Sequence, residues 1–422
     1  MSKTSRRGFL RTSAAGAALM SLPASTYRAA FGADESPSNK LRIGCVGFGK
    51  QGMGNLKAVQ KNVVALCDVD KDHLAAAAKF TDDAGVKVQT FGDYRKMLEM
   101  KDLDAVVLTT PDHWHALQTI DSCKAGKDVY CEKPLSLTIA EGKAMVAAAR
   151  EHKRVVQTGS QQRSDGKFRQ ACELVRNGAI GKITEVKVGL PGPNFSGPAV
   201  PDSDPPAVLD YDLWLGPAPE RKYNAKHVHY LFRFFWDYSG GQQTNFGAHH
   251  LDITQWALGM DESGPTSIEA TEVAFNDKKW FETPEVAKIK YTYANGVVVN
   301  CGLGKGAPPQ GCTFVGEKGT IYVTRGKLEA SDPEILKFAG GDVKLYVSKG
   351  HHADWLECIK TRKSPICDVA IGHRSATVCH LGNIAVRTGK KFTWDPVKEE
   401  VVGDSDAAKL VSKEYRAPWK LA

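Results

Sequence analysis

The sequence has no CxxC pair, no HExxH and no apolar run near the ~20 residues that a membrane-spanning helix requires. These absences argue against a redox dithiol, a zincin-type metal site and stable membrane insertion. Internal repeats are also missing, and nothing is of low complexity beyond the N-terminal segment. An excess of positive charge is only nominal. The net charge is +8, but Lys3, Arg6, Arg7, Arg11 and Arg28 all precede the first acidic residue, Asp34. Without those five the balance is +3, too small to argue for a nucleic-acid partner. The ten cysteines (Cys45, Cys67, Cys123, Cys131, Cys172, Cys301, Cys312, Cys358, Cys367, Cys379) are scattered without framework spacing. Several fall in apolar runs, so they read as buried free thiols rather than disulfides.

The five early cations have an explanation of their own. Ser5-Arg6-Arg7-Gly8-Phe9-Leu10-Arg11 is a twin-arginine pattern, followed by the weakly apolar run Thr12 to Leu22 and small residues around Ala30 to Ala33. Residues 1–33 are therefore expected to be a signal peptide for export of the folded protein to the periplasm. Folding before export would keep the thiols reduced.

The remaining chain has room for two domains at 422 residues, 42% hydrophobic and 25% charged. From Leu41, short apolar runs (Leu41 to Val46, Val63 to Cys67, Lys87 to Thr90, Ala105 to Thr109, Asp128 to Cys131, Val155 to Thr158) alternate with helical stretches (Lys71 to Phe80, His113 to Lys124, Thr138 to His152). That rhythm implies βαβ units and a parallel sheet covered on both faces. Past Gly181 the pattern changes. Ile183 to Gly189, Lys288 to Tyr293, Val297 to Cys301, Thr313 to Val315 and Thr320 to Val323 alternate and are separated by glycine turns, as in an open antiparallel sheet. The expected fold is thus α/β followed by α+β, with a Rossmann dinucleotide-binding domain over 40–160 and a substrate and oligomerisation domain over 161–422. His352 to Arg362 and Ser375 to Val386 are expected to be helices packing back on the first domain.

Gly47-Phe48-Gly49-Lys50-Gln51-Gly52 is GxGxxG after a strand and before a helix. In that context the glycines allow a tight turn, close approach of a pyrophosphate and helix-on-strand packing. Asp68 ends the next strand, 21 residues after Gly47. A carboxylate there accepts from ribose hydroxyls and repels a 2′-phosphate, favouring NAD, with NADP the other possibility. Thr109-Thr110-Pro111-Asp112-His113-Trp114-His115 follows the fourth strand and Glu132-Lys133-Pro134 the fifth. Both loops lie at carboxyl strand ends, where such sheets bind ligands. Proline restrains Lys133 to extended backbone and aims its side chain at the cleft. A partly desolvated lysine there has a lowered pKa and can exchange a proton with a hydroxyl. In the second half, Gly240 to Asp252 opens a helix on which Asn245, His249 and Asp252 share one face.

In that order, these motifs resemble the Gfo/Idh/MocA family, the glucose–fructose oxidoreductase and inositol dehydrogenase type, from Lys40 to the C-terminus. The resemblance implies hydride transfer between a nicotinamide C4 and a hydroxyl-bearing carbon of a sugar, sugar derivative or cyclitol. By position it implies Lys133, His249 and Asn245 as the catalytic set. Gly47, Phe48, Gly49, Gln51, Gly52, Asp68, Thr110, Pro111, His115, Glu132 and Lys133 would hold the cofactor, and Arg163, Asn245, His249 and Asp252 the substrate. Many members carry Asp where this chain has Asn245. Asn can orient His249 or a substrate hydroxyl but adds no charge, so either Asp252 compensates or the acid–base load falls on Lys133. A homodimer or homotetramer through the second sheet is expected, and no resident metal.

Other readings differ in class. A redox-neutral sugar oxidoreductase or glycoside-cleaving enzyme would keep NAD(P) permanently bound, which suits an exported protein. A metal hydrolase on His227, His229, His249, His250, His351 and His352 lacks a carboxylate-bearing ligand motif. A non-catalytic dinucleotide-binding protein would be indifferent to loss of Lys133. The export reading is tested by Arg6→Lys with Arg7→Lys in the full-length precursor. Fractionation should find the double variant retained in the cytoplasm; normal appearance in the periplasm would defeat the twin-arginine assignment.

Overall fold

The structure, a computed structural model, describes residues 40–421. The twin-arginine segment lies outside the described residues.

Six strands form a wholly parallel sheet: β1 (Ile43–Val46), β2 (Val63–Cys67), β3 (Gln89–Phe91), β4 (Ala105–Leu108), β5 (Asp128–Cys131) and β6 (Val156–Thr158), in the order β3-β2-β1-β4-β5-β6. β1, β4 and β5 are buried along their whole length. That is why they read as continuous apolar runs and not as alternating ones. The connecting helices are α1 (Lys50–Val59), α2 (Lys71–Asp83), α3 (Tyr94–Leu98), α4 (Asp112–Lys124) and α5 (Ile139–Glu151). Local chemistry sets their starts. Asp70 accepts from the Asp72 and His73 N–H groups ahead of α2, and Thr138 with Glu141 forms a capping box ahead of α5. The strand order turns back between β1 and β4, which opens a crevice at their carboxyl ends.

The second sheet has nine strands: β7 (Ile183–Leu190), β8 (Pro265–Ala274), β9 (Val286–Tyr293), β10 (Val298–Leu303), β11 (Gly311–Gly316), β12 (Gly319–Thr324), β13 (Lys327–Ala330), β14 (Phe392–Asp395) and β15 (Glu400–Val402). Their order is β13-β12-β11-β7-β10-β9-β8-β14-β15, antiparallel except for the β7–β10 pair. Along β9, Ala287, Ile289, Tyr291 and Tyr293 are buried while Lys288 and Lys290 are exposed. One face is therefore packed and the other open. Helices α6 (Gly166–Arg176), α9 (Gly247–Leu258) and α11 (Val369–Thr388) cover the packed face in one core with Phe168, Leu251, Trp256 and Leu381. The remaining helices are α7 (Tyr211–Leu215), α8 (Gly241–Asn245), α10 (His351–Thr361) and α12 (Ser405–Lys409). α11 also packs on α5, and α10 sets His352 against Tyr130 of β5 with ring centroids 4.6 Å apart.

All ten cysteines are buried and unpaired. Among the described residues no helix is long and apolar enough to cross a membrane.

The loop after β6 is bolted to α9 by a buried ion pair. Arg163 Nε lies 2.9 Å from both carboxylate oxygens of Asp252, and its Nη2 lies 2.7 Å from Asp261 Oδ1. The Arg163 and Asp252 side chains are 1% and 0% exposed, and Ser375 Oγ also donates to Asp252. Removing one partner strands the other charge out of water. Asp252→Asn is expected to cost about 3–5 kcal/mol of stability in urea unfolding; a loss under about 1 kcal/mol would mean the pair does not brace this joint.

Candidate active site

A cavity of about 700 Å³ lies at the carboxyl ends of β1, β4 and β5, closed on its far side by residues from α8, α9 and the segment around His229 to Arg233. Its floor is the glycine turn. Gly47 has φ +85°, and a Cβ there would stand 2.8 Å from the Thr109 carbonyl oxygen; one at Gly52 would stand 2.0 Å from the Gly47 carbonyl oxygen. Both glycines are thus demanded by backbone packing. Gly49 has nothing within 4 Å of its Cβ position and precedes α1 without capping its N–H groups. An open glycine beside an uncapped helix start is the cradle that a pyrophosphate needs.

Beside it, Asp68 Oδ2 accepts from Phe48 N–H at 2.7 Å and Oδ1 from Asp70 N–H at 2.9 Å. Burial pushes the Asp68 carboxyl up, and these two bonds oppose that. Each oxygen keeps acceptor capacity for a ribose hydroxyl. Glu132 lines the same cavity, but its carboxylate is already engaged. It accepts from Gln51 at 3.1 Å, Asn55 at 3.0 Å and the Lys133 N–H at 3.1 Å. Thr110 and Pro111 line the wall, with Thr110 Oγ1 donating to Gln118 at 2.7 Å.

His115, expected on the cofactor, lies behind that wall and is 1% exposed. Its Nδ1 is 2.8 Å from the Pro134 carbonyl and its Nε2 2.9 Å from the Thr110 carbonyl. Two carbonyl partners are both satisfied when the ring carries two N–H donors, an arrangement that favours the imidazolium. Burial opposes that charge, but Cys131, Asp112 and the Pro134 carbonyl outweigh it and raise the pKa to about 10. His115 therefore ties the Thr110 loop to the Lys133–Pro134 loop.

Lys133 reaches across the cavity from the end of β5. Its Nζ donates to Asn245 Oδ1 at 2.7 Å and to the Asn245 carbonyl at 3.2 Å, while Asn245 Nδ2 donates to Gln242 Oε1 at 2.8 Å. The Gly240-Gly241 step makes room for this. A Cβ on Gly240 would meet Asn383 Nδ2 at 2.4 Å, and Gly241 has φ +67°. Burial lowers the Lys133 pKa; Glu132 and Asp112 pull it back up, and Arg233 and Arg325 lower it further. His249 lines the cavity with its Nδ1 unpartnered, and burial, then Lys133 and Arg325, hold it well below the ordinary histidine value.

The expected single face of Asn245, His249 and Asp252 is not formed. Asn245 ends α8, Phe246 intervenes, and α9 starts at Gly247. Asn245 bonds Lys133, with no hydrogen bond to His249 among the described contacts. Arg163 and Asp252, expected on the substrate, lie outside the cavity in their own ion pair, so Asp252 gives His249 no compensating charge. Sequence reasoning passed over Asp112, a buried carboxylate accepting from Ser239 Oγ, and the cations Arg233 and Arg325, all of which line the cavity. Asp112 stands inside the quoted Thr-Pro loop, whereas nothing local in the sequence points Arg325 at the site. Of the histidines considered as metal ligands, His229 alone groups with other ligand-type atoms among the described residues, those of Asp70 and His73 within 4.8 Å. The Asp70 carboxylate there already caps α2.

Residues 41–160 match the oxidoreductase-family NAD-binding Rossmann fold, and residues 194–421 the C-terminal α/β domain of the same family. The chain is similar to inositol 2-dehydrogenase of Salmonella typhimurium, 29% identical over 175 residues, which are 40% of this chain and 50% of that protein. It is 31% identical over 161 residues to a glycosyl hydrolase family 109 protein of Shewanella pealeana, 33% of this chain and 35% of that one. The chain thus aligns with about half the length, or less, of these relatives. The WlbA dehydrogenase of Bordetella pertussis, crystallised with NADH and UDP-GlcNAcA, superposes with a TM-score of 0.64 at 22% identity, covering 84% of this chain and 99% of that one. With both domain types matched in sequence and in fold, the chain belongs to the Gfo/Idh/MocA oxidoreductase family.

Proposed function

We propose that this protein is an NAD-dependent dehydrogenase of a sugar, sugar derivative or cyclitol, with Lys133 as its acid–base group. The observation that carries this reading is a half-buried amine, held on Asn245, in the same cavity as the open Gly49 turn and the Asp68 carboxylate. Gly47 to Gly52, Asp68, Thr110 and Pro111 would hold the cofactor. Bound NAD supplies a hydride acceptor at the nicotinamide C4. In alcohol oxidation the carbon gives up a hydride, the hydroxyl gives up its proton to Lys133 Nζ, and the C–O bond becomes C=O. Asn245 aims the amine without adding charge, and burial keeps a neutral fraction available. His249 and Asn245 line the substrate end, where the His249 imidazole can bond a sugar hydroxyl.

The redox-neutral alternative, with a retained cofactor, has one observation in its favour. The segment before α7 is stitched to the ribose rim, with Lys71 N–H on the Val208 carbonyl and Asp210 N–H on the Val69 carbonyl, both at 2.9 Å. Stoichiometric NAD released on denaturing freshly purified protein would favour it. We further propose twin-arginine export to the periplasm, on the Arg6-Arg7 pattern, and a homodimer or homotetramer through the open face of the second sheet.

Two outcomes test the dehydrogenase. Asp68→Ala is expected to weaken NAD binding by about 1–3 kcal/mol; wild-type protein that binds NADP more tightly than NAD would overturn the ribose assignment. Lys133→Met is expected to keep NAD binding while turnover falls about 10²- to 10⁴-fold.

The pH profile gives a sharper test. An ammonium cannot accept a proton, so kcat/KM for oxidation should rise with pH through a limb below the usual lysine range. Asn245→Asp favours the ammonium and should carry that limb up by about 1–3 pH units. A limb that stays in place would put the base elsewhere.

A further inference from the structure

The cavity is polarised by charge. Asp68, Asp70 and Asp93 line it beside the glycine turn, Lys133 and Arg325 line it beside Asn245 and Phe246, and Arg233 lines it as a third cation. Neither guanidinium has a carboxylate within 4.0 Å among the described residues. Arg233 donates to the Tyr230 carbonyl and lies 4.0 Å from the Tyr230 ring centroid and 5.0 Å from that of Phe232. Arg325, in the turn between β12 and β13, lies 5.7 Å from the ring of Phe246, the residue after Asn245. Gln162, oriented to satisfy both ends of its amide, accepts from Arg325 Nε at 3.2 Å. Stacking on a ring face leaves the guanidinium's N–H edges free for a planar anion.

Glu132 and Asp112 line the same cavity and offset part of this charge, yet three cations face these two carboxylates and neither carboxylate forms an ion pair with Arg233 or Arg325. Glu132 is held by Gln51, Asn55 and the Lys133 N–H, and Asp112 by Ser239. The cofactor does not call for them either, because the pyrophosphate cradle is at Gly49 and α1. Arg325 stands beside Phe246 and shares Gln162 with the His249 carbonyl, and Arg233 lines the same cavity; both lower the Lys133 pKa.

We propose that the substrate is an anionic sugar, carrying a carboxylate or phosphate that Arg325 and Arg233 bind while a hydroxyl is presented to Lys133. This rests on the dehydrogenase reading and narrows its substrate class. An anion bound there also relieves the repulsion that Arg233 and Arg325 exert on Lys133.

The test separates binding from turnover. Full-length protein loaded with NADH is titrated calorimetrically with glucuronate, glucose 6-phosphate and glucose, and NADH formation from NAD with each sugar is followed separately. At least one of the two anionic sugars should bind about tenfold or more tightly than glucose, and the better one identifies the group recognised. Arg325→Gln and Arg233→Gln should each bring the ratio of anionic to neutral affinity towards one. Arg325 is at the exposed rim, so its variant keeps the fold. Equal affinities in the wild type, no detectable binding of either anion, or a ratio untouched by both variants overturns the proposal. Selective anion binding without NADH formation upholds the charge preference and counts against the dehydrogenase reading alone.

Discussion

The hydrogen bond from Lys133 to Asn245 joins two sheets that share no strand. Lys133 stands at the end of β5, and Asn245 at the end of a single-turn helix brought close by two glycines. Each side is braced separately. His115, with both ring nitrogens on backbone carbonyls, fixes the loop carrying Lys133. Arg163 and Asp252 fix α9 to the loop after β6. The amine is thus held by rigid groups, and little reorganisation is required when a substrate enters.

Asparagine at position 245 adds no charge beside Lys133, whose carboxylate neighbours are Glu132 and Asp112. A carboxylate there would hold Lys133 as an ammonium; the amide gives the same geometry and leaves burial to favour the neutral amine. Burial, reinforced by Lys133 and Arg325, favours neutral His249 as well. The acid–base burden therefore moves to Lys133, with His249 a hydrogen-bonding partner for the substrate. The excess of cations at that end matches a site that awaits a charge from its ligand.

The Rossmann half was legible because its signals are local. Val63 to Cys67 and Asp128 to Cys131 are bounded as the apolar runs indicate, and the glycine spacing specifies a turn whose packing the structure reproduces. The second half was less so. β8 contains Glu269, Ala270 and Glu272, poor strand formers held in place by β9 and β14 on either side. α6 was overlooked although Asp165 caps it and Phe168, Ala171, Cys172 and Val175 make a helical stripe. Helical spacing placed Asn245, His249 and Asp252 on one face, but the break at Phe246 and the pull of Arg163 on Asp252 are tertiary effects. Arg325 reaches the cavity only through the pairing of β12 with β13, and no motif carries that.

Lys133, at the junction of both halves, is an amine whose pKa burial lowers. Competitive labelling with trace acetic anhydride across a pH series, read by peptide mass spectrometry on the full-length protein, reports each lysine's titration without a substrate. Lys133 is predicted to become reactive at lower pH than the exposed lysines, such as Lys288 and Lys290. Titration together with those surface lysines would mean that the site does not depress the Lys133 pKa.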